Sequence, residues 1–135
     1  LQAGLAEADI VTIHLPSSAE TRGIVNGEFL ASMKPKAVLI NTARGTLVDE
    51  QALAGALTSG HLAAAGLDVF WEEPANPANP LLKLPNVVLT PHTAAATEQG
   101  LRRMALSCAD SILACFENRL DPDVVINKEV LRGNA

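Results

Sequence analysis

Short apolar runs alternate along this chain with stretches in which apolar residues return every three or four positions, and the two patterns predict strands and helices in turn. Residues 9–15 (Asp-Ile-Val-Thr-Ile-His-Leu) form a β-branched run that Pro16 stops, which predicts a strand. After a polar loop over 17–23, Asn26 is placed to cap a short helix through Phe29, Leu30 and Met33, and Pro35 ends it. Residues 37–41 are almost wholly apolar and predict a central strand. Asp49 and Glu50 open a second helix through Leu53 and Leu57, closed by Gly60. Residues 63–70 predict a third strand, with small side chains at Ala63, Ala64, Ala65 and Gly66. Pro74, Pro77, Pro80 and Pro85 make 72–85 a loop. Val87 to Thr90 predict a fourth strand, ended by Pro91. A long helix follows from Thr97 towards Asn118, with Leu101, Met104, Ala105, Cys108, Ile112 and Cys115 on one stripe. A polar tail, Val124-Val125-Ile126 and a last small segment complete the chain.

This rhythm is that of parallel α/β structure. Crossovers in such folds are right-handed, and sites lie at the carboxyl ends of the strands. No internal repeat occurs, and the proline loop is the only biased tract.

Composition narrows the picture. The 135 residues fit one domain, and a hydrophobic share of 48% suffices for a core. With one Trp, three Phe and no Tyr, that core falls to Ala, Val, Leu and Ile, which suits a parallel sheet buried on both faces. The net charge is -5 and the ten Lys and Arg are scattered, which argues against nucleic acid or an anionic membrane surface as partner. Cys108 and Cys115 share a helical face two turns apart, too far for a disulfide. Together with Met104 they read as core, in a reduced, cytoplasmic protein. No stretch approaches the ~18 apolar residues of a membrane helix. Leu1-Gln2-Ala3-Gly4 lacks an initiator Met and a signal-peptide charge pattern, so the chain is expected to begin inside something longer.

The chemistry lies at the strand ends. The first ends at His14-Leu15-Pro16 and the second at Asn41-Thr42-Ala43-Arg44-Gly45. The third runs through Asp68 to Glu72-Glu73-Pro74, and the fourth ends at Thr90-Pro91-His92-Thr93. In a parallel sheet these ends converge, so an Arg, an Asp, one or two Glu and a His are expected in one cleft. That set suits reduction of a 2-oxo acid. A planar guanidinium binds a carboxylate through two parallel hydrogen bonds, which Lys cannot copy. An imidazolium can protonate a carbonyl oxygen as hydride reaches the carbon, and a neighbouring carboxylate favours its charged form. Singly, each residue has an ordinary reading. Arg44 could be a surface or cap residue, His92 could satisfy a loop, and Glu72 and Glu73 could be solvated. Asp68 is harder to dismiss, because a buried carboxylate needs partners. His14 and His61 have no evident partner.

Three segments then resemble signatures of the D-isomer-specific 2-hydroxyacid dehydrogenases, the family of phosphoglycerate dehydrogenases and glyoxylate/hydroxypyruvate reductases. They are residues 37–50 (AVLINTARGTLVDE), 65–74 (AGLDVFWEEP) and 86–92 (NVVLTPH), in the family's order and spread over nearly the whole chain. The resemblance implies catalytic roles for three residues. Arg44 would bind the substrate carboxylate, His92 would be the acid/base, and Glu73 would be paired to it. It implies that Asp68 binds the nicotinamide carboxamide. Leu15, Pro16, Thr21, Thr42, Ala43, Thr93, Ala94 and Ala95 would line the cofactor, NAD or NADP, beside Arg44 and His92. No metal is implied. Glu73 stands where the formate-oxidising branch has Gln, which points away from formate. Thr93-Ala94-Ala95-Ala96 stands where the family often has a Gly pair, and the retained small residues are read as a tolerated variant.

The implied fold is the later half of a Rossmann-like doubly wound parallel sheet. Residues 1–93 would complete the NAD(P)-binding domain. Residues 94–135 would be a crossover helix and a C-terminal segment returning to the substrate domain. The G-x-G-x-x-G loop and the acidic residue that reads the ribose do not occur in these 135 residues. The chain is therefore read as the C-terminal portion of an enzyme roughly twice as long or more, or as the product of a shortened gene. Alone it is expected to be inactive and to expose apolar surface. The expected partners are a 2-oxo/2-hydroxy acid, the cofactor and a second copy in a homodimer. The alternative is a dinucleotide-sensing corepressor on the same fold, which upstream partner-binding sequence would mark.

Overall fold

The computed structural model describes residues 1–132, so residues 133–135 of the expected second segment lie outside it. Four strands, β1 (Ile10–Ile13), β2 (Val38–Asn41), β3 (Ala64–Leu67) and β4 (Val87–Leu89), form one sheet in the order β1-β2-β3-β4. Every pair is parallel, with Leu39 opposite Val11 on one side and Ala65 on the other. The apolar run expected to be central is β2, paired on both edges. The helices are α1 (Gln2–Glu7), α2 (Gly27–Ser32), α3 (Glu50–Thr58) and α4 (Glu98–Phe116).

Capping follows the sequence closely. The Asn26 side chain accepts from Phe29 N, and Asp49 accepts from Gln51 N and Ala52 N. Helix α1 is the one the pattern did not predict. It is six residues long, has no side-chain cap, and inserts Leu5 alone into the core. In the proline loop, Pro80–Lys83 winds into a 3-10 turn. Asn79 caps it through Leu81 N, Pro80 supplies a preset first residue, and Leu81 is fully buried.

The sheet buries one face more than the other. Leu39, Asn41, Ala65 and Leu67 are buried, while Val38, Ile40, Ala64 and Gly66 are half-buried. Consecutive strand order with crossovers of one hand puts the connecting helices on a single side. Leu5, Leu30 and Leu53 from the three helices accordingly meet Leu39 and Ala65 in one cluster. Within these residues the helices cover one face, and the other is half-buried.

Residues divide into two compact units, Leu1–Ala94 and a second beginning at Ala95. The second is α4, capped by Thr97 through Gly100 N, followed by 3-10 turns at Pro122–Val124 and Lys128–Arg132. Cys108 and Cys115 are free thiols as expected, but they are exposed, as is Met104. The reading of these three as core is corrected. Helical periodicity marks the face that wants cover without supplying a partner, and the short turns that follow cannot cover a 19-residue helix. Leu101, Ile112 and Phe116 are exposed on α4, which is the apolar surface the sequence predicted. No helix among the described residues is long and apolar enough to cross a membrane.

Two substitutions test this packing. Leu39→Ala empties a fully buried site in the central strand, and chemical denaturation should report a loss of about 2–5 kcal/mol. At Gly45 a Cβ would overlap the backbone carbonyl of Phe70. Gly45→Ala should therefore cost about 3 kcal/mol or more by the same measurement, although both residues are small.

Candidate active site

All four strands end on one edge of the parallel sheet, so each following loop starts beside the others. After β2 the chain turns on the fully buried Asn41. Its Oδ1 accepts from Ala43 N at 3.0 Å, and its Nδ2 donates to Arg44 O at 2.9 Å. This side-chain turn fixes residues 42–44 and leaves Arg44 exposed. One guanidinium N–H of Arg44 is spent on Ala43 O at 2.6 Å. Gly45 then lies directly against the Phe70 and Trp71 backbone, where no side chain fits. The loop after β2 and the loop after β3 are thereby in contact.

The ends of β3 and β4 are joined by Asp68, which is 3% exposed. Its carboxylate accepts from Thr90 Oγ1 at 2.5 Å, Thr93 N at 2.8 Å and Ala94 N at 2.9 Å. Its own carbonyl accepts from His92 N at 2.7 Å. Burial pushes the Asp68 carboxyl up, and the bonds from Thr90, Ala94 and Thr93 with the nearby His92 outweigh that and hold it below the ordinary range. His92 sits at φ 56°, a left-handed backbone that costs about 1–2 kcal/mol for a residue with a Cβ. The bonds around Asp68 hold that conformation.

His92 Nδ1 donates to Glu73 Oε2 at 2.7 Å, and Glu73 Oε1 accepts from Phe70 N at 3.2 Å. Both side chains are roughly half exposed. The hydrogen bond from His92 pulls the Glu73 carboxyl down, with help from Phe70 N and the charges of His92 and Arg44, and burial opposes this more weakly. Asp68, Glu73 and His92 share one cavity as expected, but Arg44 lines a separate cleft, so the expectation of a single cleft for all of them is corrected. His92 and Glu73 line a cavity of about 490 Å³ with Phe70, Leu82 and Leu89. Leu15, Pro16, Ala43 and Arg44 line a second cleft of about 530 Å³ with His14 and Ser17.

The other expected positions fall differently. Thr42 is exposed at the end of β2. Thr21 turns its hydroxyl inward, donating to Pro16 O at 2.7 Å and accepting from Ser18 N at 2.8 Å, so it shapes the loop after β1. Thr93 and Ala94 offer their backbone N–H groups to Asp68, and Ala95 opens the second unit. Glu72 is exposed, which fits its solvated reading. His61 has a partner after all, Leu30 O at 3.0 Å, and His14 bonds Thr12 Oγ1 at 3.0 Å. Sequence reasoning gave no role to Asn41 or Thr90. A polar residue closing an apolar run was the available signal in both cases. No group of three metal-ligating side chains occurs among the described residues.

Comparison with known proteins places this geometry. The D-isomer specific 2-hydroxyacid dehydrogenase, NAD binding domain, family matches residues 1–94. A glyoxylate reductase of Aeropyrum pernix is 47% identical over 128 residues, covering 95% of this chain and 38% of its own length. A D-isomer specific 2-hydroxyacid dehydrogenase from Lactobacillus delbrueckii ssp. bulgaricus, solved in its NAD complexed form, superposes with a TM-score of 0.84 at 37% identity, covering 92% of this chain and 42% of that one. Another from Xanthobacter autotrophicus Py2, solved with NADPH, gives a TM-score of 0.66 at 50% identity over 68% of this chain and 30% of that one. The chain thus spans well under half the length of these relatives, and by the match over residues 1–94 it belongs to the D-isomer specific 2-hydroxyacid dehydrogenase family, within its NAD binding domain.

Proposed function

We propose that this chain is the C-terminal portion of an NAD(P)-dependent D-2-hydroxyacid dehydrogenase, an enzyme that interconverts a 2-oxo acid and a 2-hydroxy acid, and that it carries the acid–base and carboxylate-binding residues. The observation that carries the reading is the 2.7 Å His92–Glu73 pair at the carboxyl edge of a parallel sheet, with Arg44 on the loop whose Gly45 abuts the Phe70–Trp71 backbone. The donor set fits a nicotinamide cofactor. Leu15, Pro16 and Ala43 offer apolar surface for a flat ring, and Ser17, whose hydroxyl is shared with Thr46 at 2.8 Å, lies beside them. Such a cofactor, when bound, supplies or takes the hydride. Because relatives are solved with NAD and with NADPH, both are carried as candidates.

The chain's own residues supply the rest. Arg44, braced by Ala43 O, keeps about four of its N–H donors for a substrate carboxylate. Glu73 holds His92 through Nδ1, which leaves Nε2 without a protein partner among the described residues. His92 Nε2 gives a proton to the substrate oxygen in reduction and takes it back in oxidation. Asp68 is assigned to the nicotinamide carboxamide. Its carboxylate already accepts three hydrogen bonds, so about one acceptor site remains for that contact.

Residues 95 onward are assigned to the substrate domain, supported by the unit boundary at Ala94 and the end of the family match there. The same reading takes the whole protein to be a cytoplasmic homodimer acting on small molecules such as glyoxylate or hydroxypyruvate, or on phosphoglycerate-type acids, rather than on nucleic acid or membranes. Two free thiols and scattered basic residues support that. The relatives named are a reductase and dehydrogenases, which does not favour the corepressor alternative.

NAD(P)H oxidation by the full-length protein, assayed against a panel of 2-oxo acids, tests the proposal. One acid should turn over, and His92→Ala should lower kcat at least about a hundredfold. Arg44→Lys should weaken turnover mainly through KM, because the charge stays and the fork is lost. Absence of turnover on every acid with cofactor still bound would sink the reading.

The carboxyl shifts give a further prediction. Asp68 and Glu73 are both depressed in the folded chain. Their stabilisation is complete above the unfolded values of about 4 and is lost as pH falls through the lower folded values. Denaturation midpoints should therefore drop on acidification below about pH 4. Asp68→Asn should be less stable at neutral pH and should lose less on acidification.

A further inference from the structure

Glu50 was legible in the sequence only as an acidic residue at a helix start. The structure removes that duty from it. Asp49 already caps α3, accepting from Gln51 N and Ala52 N at 3.0 Å each. The Glu50 carboxylate points out of the helix, accepting from Trp71 N at 2.9 Å through Oε1 and from Asn79 Nδ2 at 2.8 Å through Oε2. These two donors bracket the segment that carries Glu73. Trp71 lies two residues before Glu73, and Asn79 closes the segment by capping the following turn through Leu81 N. Among the described residues, Glu50 makes the hydrogen bonds that tie residues 71–79 to α3.

Against α3 itself the segment has little further cover. A polar cleft of about 260 Å³, lined by Glu50, Trp71, Glu72, Asn76 and Asn79, separates it from the helix. The Trp71 ring is half exposed and is braced from another side by the Arg22 guanidinium, 4.5 Å from its centroid. Apolar packing anchors the chain on either side of the segment, at Phe70 and Leu81, and the Glu50 bonds fix the stretch between them. Glu50 also begins the helix that follows the Arg44 loop, and Gly45 of that loop lies against Phe70 and Trp71. The carboxylate is thus placed to transmit the position of the Arg44 loop to the Glu73 loop.

We propose that Glu50 is a positioning residue that clamps residues 71–79 at both ends and so sets Glu73 against His92. The proposal rests on the dehydrogenase reading for its effect on turnover, but its structural content does not need a substrate. The test uses the full-length protein with 15N-labelled histidine. The His92 Nδ1–H signal, identified by its loss in His92→Ala, is compared between wild type, Glu50→Ala and Glu50→Gln, together with amide exchange over 71–79 and steady-state kinetics.

In Glu50→Ala we expect the Nδ1–H signal to broaden or vanish and exchange over 71–79 to accelerate. We expect kcat to fall about tenfold with the cofactor KM unmoved, since Glu50 touches no cofactor-lining residue of the Leu15–Arg44 cleft. Glu50→Gln, whose carbonyl still accepts from Trp71 N but whose NH2 cannot accept from Asn79 Nδ2, should fall between wild type and Glu50→Ala in each. Unchanged signal and exchange in a folded Glu50→Ala protein would overturn the proposal. If that variant does not fold, Asn79→Ala removes one of the two bonds and leaves Glu50 in place. Faster exchange over 71–79 then supports the clamp, and wild-type exchange overturns it. A wild type that turns over no 2-oxo acid fails the dehydrogenase reading alone, while the signal and exchange comparisons still decide on Glu50.

Discussion

Asp68 carries a charge into the interior at the point where β3 leaves the sheet. A carboxylate buried without partners would cost several kcal/mol, so the chain around it has to deliver donors. It does so with one hydroxyl from Thr90 and two backbone N–H groups from Thr93 and Ala94. All three come from the turn that follows β4. Satisfying one buried charge thereby ties the end of β4 to the end of β3 and holds His92 in a left-handed backbone it would not adopt alone. His92, the proposed acid–base residue, is placed as a consequence of satisfying a charge beneath it.

Similar economy governs the neighbouring loops. Asn41, buried at the end of β2, turns the chain through its own amide so that Arg44 emerges at the sheet edge. Gly45 permits the backbones of the two loops to touch. Glu73 takes His92 on one oxygen and Phe70 N on the other, so its loop closes on itself. Of these polar groups only Asp68 and Glu73 take partners from the turn after β4, and those bonds couple that turn to the end of β3.

Much of the fold was legible because the signals were local. Pro16 and Pro91 stop strands, Asn26 and Asp49 cap helices where side-chain chemistry says they should, and the apolar run at 37–41 is indeed the paired inner strand. Third-strand length was overestimated because Asp68, Val69 and Phe70 continue an apolar pattern after the ladder has ended. Helix α1 was missed because six residues with one buried Leu carry no periodic signal. The cysteines and Met104 were misplaced because a helical stripe records a preference for cover and says nothing of what provides it. At the site, Arg44, Asp68, Glu73 and His92 were legible as polar residues at strand ends. Asn41 and Thr90 stood at strand ends too, but Thr90's role was not legible because Asp68 lies 22 positions away, and Asn41's local side-chain turn was overlooked.

The sequence by itself determined the alternation of elements, the parallel sheet and the set of reactive side chains at its edge, since period, caps and strand ends are properties of short segments. Tertiary structure alone decided which further partners those side chains meet. The signature implied the Glu73–His92 pair, but that Asp68 faces inward to three donors and that Glu50 reaches across to Trp71 and Asn79 depend on contacts between residues 21 to 29 positions apart. Distances of that kind are set by strand order and loop packing, and no local pattern encodes them.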